Sequence, residues 1–368
     1  MTKARELAEL GAVYDSGALS NRNLIINGAM QVAQRGTSAT VTTAGNSYDA
    51  LDRFESYRNS SYAPNFTISQ DTTGPAGFSR SLKVDVDATA TPTGSENFGI
   101  RYKVEGSDAA QTGLGTSGSK QITLSFYVKS NKTGTYGTQV FRNGSSTYST
   151  TKGYTIDAAD TWERKEITYT ALTTDNTPTV TTTWGIMIHF DLSSGPDDQV
   201  AEFNWTAQGS ARTVTGQVNL MDSTSNYWQI TGVQLEVGTE ATPFEHRSYG
   251  NELARCQRYY QVLSNVLSDL VGASVKWSSG NNFIFCDLAN EMRATPSLDT
   301  NVSTVSAALR LQAAGYSATG NNLQLDGDSS PRKLRLNSTV DNSSLSNGYG
   351  GWLRVNDSSI YVNVSAEL

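Results

Sequence analysis

The chain has 368 residues, with 28 basic and 35 acidic side chains giving a formal charge of -7 and a pI near 5.0. No lysine or arginine stripe runs along it, which removes the electrostatic footprint of a nucleic-acid partner, and no window approaches the ~18 to 20 apolar residues needed for membrane insertion. Two cysteines, Cys256 and Cys286, are too few for a disulfide framework and suit small buried hydrophobes in a chain made in a reducing cytoplasm. The length allows two domains with real cores. A composition rich in Thr, Ser, Asn and Gly, with 17 tyrosines and only 8 prolines, favours many short strands joined by polar turns, an all-β class.

Residues 1–21 open with MTKARELAELGAVYDSG, where charges interrupt the apolar run a secretory signal needs. Leu7 and Leu10, with Ala4 and Ala8, line one face of a short helix before a break at Asp15 to Gly17. A helix so short is marginal alone, so the segment either frays or orders on a partner, with Leu7 and Leu10 as its anchors. Residues 22–248 read as repeated strands. Ile122, Leu124, Phe126 and Val128 alternate with polar residues, as do Trp184, Ile186, Ile188 and Phe190, so each strand presents one apolar face. Two such faces packed together make a β-sandwich, and polar stretches such as Thr89 to Asn97 and Ser193 to Gln199 fit crossings between its sheets. In Trp228, Ile230, Val233, Leu235 and Val237 the alternation slips by one at Gly232, which predicts a bulge, and Pro243 is expected to stop the ladder.

Residues 249–261 form the connecting helix: Tyr249, Leu253, Cys256 and Tyr260 recur at spacings of three and four, with Glu252 three before Arg255. Residues 262–368 begin with VLSNVLSDLVGASVKW and FIFCDLANEM. Short apolar bursts follow in ALRLQA, NLQLDG, KLRLNS, GWLRVN and IYVNV, strands of a second, smaller β domain. Asp326-Gly327 and Asn347-Gly348 are tight-turn signals, and Pro296 is an edge or turn residue.

The stretch ITGVQLEVGTEATPFEHRSYGNELARCQRYY, Ile230 to Tyr260, joins the last strand of the first domain to the helix. It resembles the junction "QLE-G-ATPFE-R" leading into "EL-CQRYY" in receptor-binding fibre proteins of tailed bacteriophages. NLIINGAMQVAQRG (Asn23 to Gly36) followed by LDRF (Leu51 to Phe54) resembles the opening of the same sandwich, with Ala33 and Phe54 where that family often has tryptophan. MRATPSL (Met292 to Leu298) and the terminal NVSAEL resemble its distal domain. The resemblance implies a jelly-roll first domain similar to carbohydrate-binding modules, where strand periodicity alone leaves other Greek keys open. It implies a homotrimer located in the virion tail. Three partners follow from it: further copies of the chain, another virion protein (tail hub, adaptor or capsid) met by the N-terminus, and a polysaccharide on the host surface. Related sugar-binding jelly rolls hold a structural calcium with acidic residues near the opening "NG" and in the closing strand. Here those positions read Asn27-Gly28-Ala29-Met30 and Thr231-Gly232-Val233, so no metal is expected.

No cofactor or catalytic residue is expected either. His189 and His246 are isolated and fit structural or solvated roles. Asp49 with Asp52 and Asp197 with Asp198 are the pairs from which a glycosidase would have to be built, and surface turns explain them better. Glycan recognition would use exposed rings that stack on pyranosides. The candidates are Tyr349 and Trp352, framing NGYGGW with Gly348, Gly350 and Gly351, then Tyr57 and Tyr62 in a polar loop, and Trp162 and Trp205 in polar stretches. Trp184, Trp228 and Trp277 are assigned to cores. If the N-terminus docks, chain order leaves residues 262–368 farthest from the particle. Three functions then compete: a glycan-binding fibre, a structural fibre or head decoration protein, and, weakest, a polysaccharide depolymerase.

Overall fold

A computed structural model describes residues 21–42, 45–58, 62, 65–174, 181–207, 213–264, 267, 269–278, 281–304, 308–313, 316–320, 322–339 and 347–368. Leu7 and Leu10 lie outside the described residues. The chain divides into two compact units, one ending at Glu252 and the other beginning at Leu253.

The first unit contains β1 (Ser38–Val41), β2 (Gly45–Ser47), β3 (Phe54–Arg58), β4 (Phe66–Asp71), β5 (Ser81–Val86), β6 (Asn97–Glu105), β7 (Ile122–Ser130), β8 (Gly134–Arg142), β9 (Tyr148–Ile156), β10 (Glu163–Tyr169), β11 (Trp184–Ser194), β12 (Gln199–Val200), β13 (Phe203–Ala207), β14 (Thr213–Val214) and β15 (Tyr227–Val237). One sheet runs β1-β4-β5-β15-β7-β10 and the other β13-β9-β8-β11-β6-β3-β2. Eight of these strands form a jelly roll: β5-β15-β7-β10 in one sheet face β9-β8-β11-β6 in the other, and the chain alternates sheets except at the β8–β9 hairpin. The connection from β5 to β6 crosses between sheets as expected. That from β11 instead feeds β12, which pairs with β14 in a small parallel sheet of its own.

The inward residues interlock the two layers. Phe126 of β7 lies edge-on to Phe190 of β11 at 5.2 Å and to Tyr154 of β9 at 5.1 Å, and fully buried Trp228 of β15 sits 6.1 Å from Phe190. The bulge falls where the sequence placed it: Gly232 has φ +61° and the β15–β7 register shifts between Thr231 and Gln234. The ladder ends at Val237, well before Pro243.

The junction motif closes the roll. The Glu245 carboxylate accepts the backbone N–H groups of Asn21 and Asn23 at 2.7 and 2.8 Å, and Arg247 donates to the carbonyls of Asn23 and Ile25. Glu236 accepts both the N–H and the hydroxyl of Thr242, while Gln234 accepts the N–H of Glu245. Glu252 accepts the N–H of Asn27, whose own side chain brackets Val32 and reaches the Asp52 carbonyl. The two recognised motifs, Asn23 to Gly36 and Ile230 to Glu252, are therefore halves of one structure.

The helix spans Tyr249–Gln257 and is shorter than its periodicity suggested. Tyr260 leaves it because its backbone is taken up in a strand, paired with Ser365, and its hydroxyl donates to Asp299.

The second unit contains β16 (Tyr260–Ser264), β17 (Leu270–Ser278), β18 (Asn281–Asp287), β19 (Ser297–Thr300), β20 (Leu309–Ala313), β21 (Tyr316–Gly320), β22 (Gln324–Leu325), β23 (Lys333–Ser338), β24 (Gly350–Val355) and β25 (Val362–Ser365). Its sheets run β16-β25-β19 and β21-β20-β24-β17-β18-β23-β22. A single core joins them, with Val362 and Val364 from the small sheet and Ile284, Leu311, Leu336 and Leu353 from the large one.

Candidate functional site

Strand alternation sorts the seven-stranded sheet of the second unit into two faces. One supplies the core. The other carries, in a single register row, Trp352 of β24, Ala273 of β17 and Phe285 of β18, flanked by Gln312 of β20 and Arg335 of β23. The next row holds Gly350, Val275 and Phe283, with Trp277 beyond it on β17, its ring 5.6 Å from that of Phe283. Trp277, Phe285 and Trp352 are 66%, 51% and 50% exposed. Scattered surface apolar residues are ordinary, but three large rings grouped on one open sheet face form a patch of the kind that mediates interaction. Trp352 and Phe285 are two strands apart, roughly 9.5 Å by strand spacing, and small Ala273 keeps the floor between them low.

A pocket of about 390 Å3 opens at the margin of this face, lined by Leu270, Ala273, Phe285, Asp287, Gln257 and Gln261. Gln261 is fixed, donating to the carbonyls of Gln257 and Asn290 and accepting from the N–H of Ala289. Cys286 also borders the pocket, but its thiol donates to the Val271 carbonyl at 3.0 Å and burial pushes its pKa up to about 12, which leaves it un-ionised and unreactive at neutral pH. Arg335 lies 4.6 Å over the Phe283 ring and is ion-paired to Asp326 and Asp328.

Of the rings expected from the sequence, Trp352 is on this face. Tyr349 is 49% exposed but lies three residues before Trp352 along an unshifted register, so strand alternation puts it, opposite Lys276, on the other side of the ladder, where its carbonyl accepts the N–H of Lys276. Gly351 is required for packing, since a Cβ there would meet the Gln312 carbonyl at 2.5 Å; Gly350 shares the face of Trp352. Trp277, assigned to a core, is instead the most exposed of the large rings among the described residues. Phe285 and Trp277 were legible in part: FIFC and SVKW put apolar residues on both faces of a strand, and such a run reads as a strand buried on both sides.

The remaining candidates are dispersed over the first unit. Tyr62 is buried, its hydroxyl 2.8 Å from that of Ser193, and burial raises its pKa to about 12, so its ring offers no surface. Trp205 packs against the core and donates to the Thr170 carbonyl at 2.6 Å. Trp162 is half-buried, with Lys129 5.2 Å from its ring. Tyr57 is on strand β3, not in a loop, and lies under the Arg101 guanidinium, 3.1 Å from ring centroid to Cζ. This belongs to a buried polar cluster on the outer side of the β11 sheet: Arg101 donates to His189 Nδ1 at 3.1 Å, and His189 Nε2 is 3.6 Å from Asp191. Burial lowers the pKa of His189, with Arg101 acting in the same direction against Asp191. The acid pairs are structural: Asp52 is buried and accepts from the backbone and side chain of Gln34, Asp49 accepts from Ser47 and Ser56, and Asp198 is buried against Asn97. Burial of Asp52 and Asp198 departs from the expected surface turns. Among the described residues no group of His, Cys, Asp and Glu is arranged to hold a metal, and no helix is long and apolar enough to cross a membrane.

No protein-family model matches the chain, and no curated protein matches it. Solved structures do. The enzymatically active domain of tailspike protein 4 from bacteriophage CBA120 is 12% identical over 59% of this chain, at a TM-score of 0.30, and the match spans 21% of the tailspike chain. A putative sugar-binding protein from Bacteroides thetaiotaomicron is 14% identical over 59% of this chain and all of its own, at 0.34. The N-terminal cellulose-binding domain of a Cellulomonas fimi β-1,4-glucanase is 14% identical over 56% of this chain and 91% of its own, at 0.26. At these scores the likeness adds nothing to the jelly-roll assignment, which stands on strand order.

Proposed function

We propose that the chain is a receptor-binding fibre subunit of a tailed bacteriophage that attaches to a host-surface glycan through the open aromatic face of its second unit, by adhesion and without catalysis. The observation that carries the glycan reading is the Trp352–Ala273–Phe285 row: two half-exposed rings on one sheet face, separated by about the length of two sugar residues by strand spacing, suit successive stacking along one saccharide chain. The phage reading rests on the sequence resemblance between Ile230 and Tyr260. On it the chain is a homotrimer in the virion tail, made in the bacterial cytoplasm, with residues 1–21 docking on a tail hub, adaptor or capsid protein. Three linked faces would gain avidity on a repetitive surface.

The test is binding of the purified chain to intact host cells and to resistant mutants lacking the surface polymer. Binding to the former alone, abolished by a combined W352A and F285A exchange with the melting profile intact, is the expected result. Equal binding to both cell types rejects the reading. A monomeric mass by light scattering at micromolar concentration rejects the trimer, and normal particle incorporation after deletion of residues 1–20 rejects the anchor.

A further inference from the structure

The pocket at the margin of the open face offers something the face does not. A row of rings lets a saccharide chain pass over it, whereas a concavity of about 390 Å3, near the lower end of the ~300 to 1,000 Å3 that small-molecule sites span, has room for one sugar ring and its substituents. Phe285 belongs to both, half-exposed on the face and lining the pocket. Asp287 follows it by two residues on β18, on the same side and roughly 6.5 to 7 Å along the strand. It lines the pocket, is exposed, and its carboxylate makes no hydrogen bond or ion pair among the described residues. Lys333, its cross-strand neighbour, is not part of the lining. Gln257 also lines the pocket, and its Oε1 accepts from Asn290 Nδ2 at 2.6 Å, which orients the amide and leaves Nε2 with no acceptor among the described residues. Gln261 has its own amide occupied by Gln257, Asn290 and Ala289 and serves as wall. One anionic acceptor and one neutral donor thus share a pocket with the apolar surfaces of Phe285, Leu270 and Ala273.

We infer that the pocket takes a single uncharged terminal sugar residue of the glycan, one of its hydroxyls donating to the Asp287 carboxylate and another accepting from Gln257 Nε2. The inference rests on the proposed glycan reading and adds the residue that the site selects. A sugar hydroxyl both donates and accepts, so a pocket holding one group of each kind is matched by two hydroxyls of one ring. The bond to the carboxylate is charge-assisted and is the stronger of the two. Charge decides the class: Asp287 is the one ionised side chain of the lining, Cys286 being held as the thiol, so a uronic or sialic acid would bring a second negative charge into the same small space. The aromatic row then holds the polymer, and the pocket chooses which terminal residue it accepts.

The experiment measures binding of the full chain to surface polysaccharide extracted from host cells and, by ligand-observed NMR at millimolar concentration, to the α- and β-methyl glycosides of every sugar that its complete hydrolysis releases. The variants are D287A, D287N and W352A, each first checked for an unchanged melting profile. At least one uncharged glycoside should bind, with affinity falling about tenfold or more in D287A, the size of a lost charge-assisted contact, and by less in D287N, whose amide oxygen still accepts. W352A should weaken binding of the polysaccharide and leave that of the glycoside within about twofold, because Trp352 does not line the pocket. The inference is overturned if the polysaccharide binds and no glycoside does, if only an acidic glycoside binds, if D287A leaves glycoside affinity unchanged, or if linkage analysis finds the bound sugar only within chains and never at an end. Loss of glycoside binding in W352A would also overturn it, by seating the single ring on the open face. Failure of the polysaccharide itself to bind the wild type would reject the glycan reading beneath it.

Discussion

The two units treat the same residue types in opposite ways. In the jelly roll, rings and arginines are absorbed: Trp228 and Phe190 interlock inside it, and on its outer side Tyr57 is capped by Arg101 beside fully buried His189. In the second unit Trp277, Phe285 and Trp352 remain half or more in water. A cluster of aromatic rings is therefore informative about binding only when its surface is still available, and among the described residues the second unit meets that condition with several rings at once.

The sharpest way to break this contrast is to remove a ring from each unit. Trp228→Ala should destabilise the jelly roll by about 3 to 5 kcal/mol, the range for truncating a buried large side chain, seen as a lowered or missing thermal transition. Gly28→Ala should destabilise it by roughly 1 to 3 kcal/mol through overpacking, because the added Cβ would meet the Val233 carbonyl at 2.2 Å. Trp352→Ala should leave both transitions within about 0.5 kcal/mol while weakening glycan or cell binding by about 1 to 3 kcal/mol. If Trp352→Ala instead unfolds the second unit, its ring is structural and the contrast fails.

Acid offers a subtler probe. The folded pKa of His189 lies below its unfolded value of about 6.5, so the unfolded chain takes up the proton first and stability is lost as pH falls below that value. The jelly-roll transition of the wild type should drop between pH 7.5 and 5 by more than that of His189→Gln, as followed by calorimetry. Smallest of all, Tyr349→Ala should change binding by less than about 0.5 kcal/mol, because Tyr349 does not share the face of Trp352. A loss matching that of Trp352→Ala would place both residues in one site.

Much of the fold was legible in local pattern. The alternations of Ile122 to Val128 and Trp184 to Phe190 became facing layers of the sandwich, and the slip at Gly232 became a bulge. Which sheet each strand joined was not legible, because pairing across a roll is decided by contacts far apart in sequence. The site was legible only as single residues. Trp352 was found from its glycine-rich setting, but its companions Phe285 and Trp277 lie in strands whose periodicity looks like core, and only the register that brings β24, β17 and β18 side by side assembles them. Tyr349 failed for a different reason: it stands three residues from Trp352, and once the strand runs through both, that odd spacing puts the two rings on opposite faces.

The clamp formed by Glu245, Arg247 and Glu252 on Asn21 to Asn27 has a consequence in time. Its partners are as much as 225 residues apart, so during synthesis at ~5 to 20 residues per second the opening segment waits roughly 10 to 45 seconds for the residues that hold it. Over that interval β15, the strand that sits between β5 and β7, is also missing, and both edges it will cover are exposed. Slowing translation just upstream of Tyr227 should therefore lengthen the vulnerable period and raise aggregation, while a pause placed after Glu252 should not.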